Sequence, residues 1–167
     1  MTVVIADTSP INYLLLIGDI AILPRLYGQV LIPTEVLAEL SDADAPPEVF
    51  RWVRMHPIWL QTRQVRTVHD DPALRQLDPG ERAAILLAQQ EAASLLLIDD
   101  AAGRSEATRR GIPSTGTLGI LRAAAIRQLP DLPTSLKNLA ATNFQVSQRL
   151  IAELLAEDTA RKLHSDV

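Results

Sequence analysis

The chain has 167 residues, 47% of them hydrophobic and 22% charged, with a formal net charge of -4; such a length supports one compact domain whose core needs no covalent staple. It contains no cysteine, which excludes disulfides, thiol nucleophiles, iron-sulfur clusters and cysteine-bound zinc. No apolar run approaches the ~20 residues that cross a bilayer, and the opening MTVVIADTSPINYLL carries no basic leader segment, so the reading is a soluble cytoplasmic protein.

Val3–Ala6 is a short β-branched run ending at Asp7, and Thr8-Ser9-Pro10 supplies hydroxyls and a proline suited to a first helical turn. Gln29–Ile32 predicts a second strand, closed by Pro33, and Thr34–Leu40 has helical spacing. Ser41–Pro47 is a polar break before a helix over Glu48–Met55, and Pro57–Leu77 shows no regular pattern. Asp78-Pro79-Gly80-Glu81 places an acid at the N-cap, proline at N1 and a second acid at N3, opening a helix through Ala88. Ser94–Ile98 predicts the third strand, ending on Asp99-Asp100. A helix over Ala101–Arg110 stops at Gly111; a short strand Ile112–Ser114 and the turn Thr115-Gly116-Thr117 lead into another helix. Helices over Thr134–Ala141 and Ser147–Glu157 close the chain. Alternation of this kind predicts an α/β fold in three layers, a parallel sheet covered on both faces.

In such a sheet the ligand site lies beyond the carboxyl ends of the strands, where the strand order reverses. Asp7 and Asp99 end two strands and are expected on one rim. Glu81 shares a helix face with Ala84, Ile85 and Ala88, and Glu39 lies one turn beyond Val36, so both carboxylates extend apolar stripes. Each acid also has a plainer role. Asp78 and Glu81 form a capping box, Asp7 caps the first helix, one of Asp99 and Asp100 caps the next, and Glu39 is a surface acid. If the four converge, each pair about 4 Å apart repels by roughly 4 kcal/mol at an effective dielectric of 20. A hard cation such as Mg2+ or Mn2+ relieves that conflict and suits an all-oxygen ligand set. Asp99 is assigned to the ion and Asp100 to the cap or to support.

Four frames in order, VVIADTSP (Val3–Pro10), IPTEVLAEL (Ile32–Leu40), LDPGERAAILLA (Leu77–Ala88) and LLLIDDAAGR (Leu95–Arg104), resemble the PIN domain. They are most similar to its bacterial and archaeal branch related to VapC-type toxins, over about residues 3–127. The resemblance implies an α/β/α nuclease sandwich that cleaves RNA with Mg2+ or Mn2+, with metal-binding and catalytic roles for Asp7, Glu39, Glu81 and Asp99 and a supporting role for Ser9 beside Asp7. It also implies a toxin held inactive by an antitoxin protein; a homodimer is expected. One departure stands out: many relatives carry a further acid where this chain has Thr115-Gly116-Thr117. Thr117 is then read as holding a water or a phosphate oxygen. Arg104 either contacts substrate or pairs with Asp100, the pair being preferred. The alternatives are a catalytically silent PIN-like module that binds RNA or protein, and a receiver or small-phosphoester hydrolase.

The remaining signals are weaker. Gly116–Gly119 lacks the spacing and lysine of a nucleotide loop. No G-x-S-x-G elbow exists, and His56, His69 and His164 are scattered. His69-Asp70-Asp71 reads as a solvated loop. Trp52 and Trp59, near Arg51, Arg54 and Arg63, read as packing residues before base-stacking ones. Between Arg51 and Arg127 eleven arginines face eight acids, net +3, which fits either a local phosphate-binding face or an ordinary salt-bridged surface. The amphipathic last helix is expected to pack on the body or on a second subunit.

Overall fold

A computed structural model describes residues 2–66 and 70–167; His69 of the His-Asp-Asp run lies outside the described residues. Five parallel strands, β1 (Val4–Ala6), β2 (Val30–Pro33), β3 (Leu60–Arg63), β4 (Leu95–Leu97) and β5 (Ser114–Thr115), form one sheet in the order β3-β2-β1-β4-β5. Alternate side chains of each strand enter opposite cores, as the two-residue period of a strand requires. Val4, Ala6, Val30, Ile32 and Leu97 pack into one core, Ile5, Leu31, Leu96 and Ile98 into the other. Burial on both faces is why β1, β2 and β4 read as continuous apolar runs.

The first core is covered by α1 (Thr8–Leu16), α2 (Ile22–Tyr27), α3 (Thr34–Leu40), α4 (Pro47–Val53), α7 (Thr117–Ile126), α8 (Leu132–Ala140) and α9 (Gln148–Ser165), and the second by α5 (Pro79–Gln90) and α6 (Ala101–Arg109). This is a three-layer α/β/α fold. The capping box at α5 is present: Asp78 Oδ1 accepts the Glu81 N–H at 2.9 Å, and Glu81 Oε2 accepts the Asp78 N–H at 3.1 Å. Gly111, at φ +71°, ends α6 in the left-handed region that glycine enters at no steric cost.

Several expectations need correction. Strand β3 and the short helix α2 were not anticipated. Leu60-Gln61-Thr62-Arg63 sits at the sheet edge with its last two residues exposed, so it has no buried alternation to reveal it. Strand β5 lies one to two residues later than expected, and α9 runs eight residues beyond Glu157 to Ser165. Its added turns carry the buried Asp158, which is paired with Arg161 at 3.0 Å and Lys162 at 2.8 Å. Trp52 and Trp59 pack on each other, ring centroids 5.7 Å apart, against the first core.

Candidate metal centre

The strand order reverses between β1 and β4, whose neighbours lie on opposite sides, and this opens a crevice at their carboxyl ends. Ala6 pairs with Leu97, and the Asp7 N–H donates to the Leu97 carbonyl at 2.9 Å. The register therefore sets Asp7 and Asp99 on one rim. Asp7 occupies the N-cap position of α1 but its carboxylate makes no capping bond. The side chain is buried, and its Oδ1 has no hydrogen-bond partner. A buried polar atom without a partner costs about 1–3 kcal/mol, a deficit that a ligand from outside the polypeptide would remove.

Carboxylate oxygens of Asp7, Glu39 and Asp78 all lie within 4.8 Å of one another. Fully ionised, each pair repels by about 3 kcal/mol at an effective dielectric of 20. Burial pushes the Asp7 carboxyl up to about 8, with the charges of Asp78, Glu81 and Glu39 adding to the effect. Burial likewise raises Glu81 to about 7, with Asp78 and Asp100 contributing. An unpartnered buried oxygen among crowded carboxylates, with no softer donor, fits a hard divalent cation.

Glu39 is held by two groups. The Thr8 hydroxyl donates to Oε2, and the Gly80 N–H donates to Oε1 at 3.0 Å. Gly80 must be glycine for this contact, since a Cβ there would stand 2.6 Å from Oε1. Asp99 is held more firmly. Oδ2 accepts from Ser9 Oγ at 2.8 Å and Thr117 Oγ1 at 2.7 Å, while Oδ1 accepts the Thr117 N–H at 2.6 Å. Asp7, Glu81, Asp99 and Asp100 line a cavity of about 300 Å³ walled by Tyr13, Asn143 and Phe144.

A family model described as a PIN domain matches residues 3–159. The chain belongs to the PIN-domain family. No curated protein and no solved structure matches it significantly. PIN domains are generally metal-dependent nucleases, and the acidic group of this PIN domain fits a metal site. A nucleic acid is the implied ligand. Among the described residues no helix is long and apolar enough to cross a membrane.

The geometry revises several roles expected of this PIN domain. Asp78, read from sequence as a capping residue, does cap α5, but with Oδ1 only, and it also joins Asp7 and Glu39 in the carboxylate group. Glu81 approaches Asp7 closely enough to raise its pKa, though that three-membered group is completed by Asp78. Ser9 supports Asp99 and not its neighbour Asp7. Thr117 is fully buried with both donors on Asp99, so it does not present its hydroxyl to a water or phosphate. Asp100 caps α6 through the Gly103 N–H at 2.7 Å. Arg104 makes no ion pair with Asp100 among the described residues; its guanidinium donates to the Asp99 carbonyl. Thr115 accepts the Ile98 N–H at 2.9 Å within the sheet, and its hydroxyl lies against Gly119.

Sequence reasoning missed Asp78, Thr8, Tyr13 and Asn143. Only Asp78 left a signal: an N-cap and its N3 partner share one helix end, and a cap spends one oxygen of two.

Proposed function

We propose that this PIN domain is an Mg2+- or Mn2+-dependent endoribonuclease acting as one domain in the cytoplasm. The observation that carries the reading is Asp7 Oδ1, buried without a partner where carboxylates from three helix ends meet. Asp7, Glu39, Asp78 and Asp99 would hold the cation, with Glu81 beside them. When bound, a divalent ion of this kind neutralises charge on phosphoryl oxygens and acidifies water.

The chain's own groups prepare the rest. Thr8 and Gly80 fix the Glu39 carboxylate, and Ser9 and Thr117 fix that of Asp99, so neither has to be ordered when substrate arrives. Glu81 lines the same cavity and keeps Oε2 on the Asp78 N–H, which fixes the carboxylate and leaves Oε1 to take a proton. The Tyr13 hydroxyl donates to Asn143 Oδ1 at 2.7 Å and its ring meets Phe144 edge-on at 4.9 Å, which fixes one wall of the cavity.

RNA as substrate, and a toxin role opposed by an antitoxin protein, are supported by the similarity of the four motif frames to VapC-type toxins. A homodimer is supported by Met55 and Ile58, large apolar side chains left 78% and 90% exposed. The test is cleavage of total RNA and of plasmid DNA by purified protein with Mn2+, beside the Asp7→Asn and Asp99→Asn variants. RNA cut by the parent alone is the expected result. Equal cleavage by the variants removes the assignment, and DNA cut in preference to RNA removes the substrate. Growth arrest on expression, absent with Asp7→Asn, is the expectation for a toxin.

A further inference from the structure

We infer that a second cavity, gripped by Arg104, seats the phosphate of the nucleotide that flanks the bond being cut; the inference rests on the nuclease reading above. This cavity, about 340 Å³, is lined by Asp99, Arg104, Gly116, Gly119, Phe144 and Gln145 among others. Its size lies within the ordinary range for small-ligand sites, roughly 300–1,000 Å³. Asp99, Phe144 and Gln145 also line the acidic cavity, so the two spaces are adjacent on either side of the same residues. A ligand occupying both must be continuous across Phe144, and a nucleic-acid strand has that form.

Arg104 gives the second space its charge. Its guanidinium is anchored through one nitrogen to the Asp99 carbonyl. Among the described residues it has no carboxylate partner and no other side-chain hydrogen bond, although Asp99 and Asp100 precede it by one helical turn. Arginine carries five N–H donors in a planar fork that matches a phosphate, so most of the fork remains to bind one. Gly116 and Gly119 let this wall pack closely: a Cβ at Gly116 would stand 2.7 Å from Asp99 Oδ1 and 3.6 Å from the Arg104 guanidinium, and a Cβ at Gly119 would collide with the Thr115 hydroxyl. The acids on one side of Phe144 and the arginine on the other would divide the labour, the first site taking the reacting phosphate and the second holding its neighbour directly.

Random-sequence RNA dinucleotides without terminal phosphates contain only the phosphate that is cut, whereas trinucleotides carry one more. With Mn2+, the parent is expected to favour trinucleotides by about tenfold in kcat/KM, the difference lying in KM. Arg104→Gln erases that preference and Arg104→Lys, which keeps charge but not the fork, retains part of it. The salt dependence of binding to a fluorescein-labelled random RNA hexamer pool becomes shallower by about 0.7 in log–log slope for Arg104→Gln. The melting shift induced by Mn2+ is retained in both variants. A trinucleotide preference that survives Arg104→Gln, or that the parent never shows while cutting long RNA, overturns the inference and leaves the nuclease reading standing. Loss of the Mn2+ melting shift in Arg104→Gln also overturns it, because the residue would then act only through Asp99. A parent that cuts no RNA of any length overturns the nuclease reading itself.

Discussion

Thr117 donates to Asp99 twice, from its backbone N–H to Oδ1 at 2.6 Å and from its hydroxyl to Oδ2 at 2.7 Å, across 18 residues. Where many relatives are expected to carry another acid, this chain places a buried hydroxyl that orients an existing one. Thr117→Val keeps the shape and the amide bond but removes the hydroxyl. Its expected effect is a fall in kcat of about tenfold and a stability loss of roughly 1–2 kcal/mol, with the fold retained. Steady-state rates on RNA and denaturant melts check this; an unchanged kcat means that the amide and Ser9 suffice.

Asp7→Asn separates stability from activity. The substitution removes a buried carboxylate whose Oδ1 lacks a partner, so metal-free protein is expected to gain about 1 kcal/mol or more at pH 8–9. Cleavage should fall by at least about 100-fold and the Mn2+ melting shift should disappear. Thermal melts with and without Mn2+ measure both, and a destabilised Asn variant at pH 9 would contradict the account of the site.

The titration of Asp7 and Glu81 sets the sign of the pH dependence. Their folded pKa values, about 8 and about 7, exceed the ordinary carboxylate values. Between these limits the folded state keeps protons that the unfolded state has lost, so metal-free stability declines as pH rises from about 4 to about 8. Glu106 acts oppositely. Arg109 and Arg110 hold it down to about 2, and its contribution is present above its ordinary pKa and lost as pH falls toward 2. Metal-free protein should therefore melt highest near pH 4. Mn2+ requires the ionised carboxylates, so its stabilising shift grows as pH rises through about 7–8, with proton release on binding. Melting curves from pH 4 to 9, and calorimetry in buffers of different ionisation enthalpy, test both; a metal-free melting temperature that rises from pH 5 to 8 rejects the burial argument.

Gly80→Ala tests the cradle under Glu39. The new Cβ would stand 2.6 Å from Oε1, where the Gly80 N–H now binds. Alanine favours a helix over glycine by up to about 1 kcal/mol, so α5 itself is not weakened, whereas Glu39 is displaced from Asp7. Weaker Mn2+ binding by about tenfold is expected, read as a smaller Mn2+ melting shift. A full shift would show that Glu39 is not needed for the ion.

Much of this molecule was legible along the chain. The apolar runs before Asp7 and Asp99, the capping box at Asp78 and Glu81, and the glycine after α6 are set by contacts within a few residues and by two- or three-to-four-residue periods. Those local rules, read in order, determined the parallel α/β architecture and put acids at strand ends. Strand β3 escaped because half of an edge strand faces solvent. Only the tertiary structure decided which oxygens meet. Ser9 turned to Asp99, 90 positions away, Glu39 found the Gly80 amide 41 positions on, and Asp78 completed the group with Asp7. Those pairings depend on β1 lying beside β4 and on the packing of α3 against α5, and neither arrangement is encoded in the spacing of neighbours along the chain.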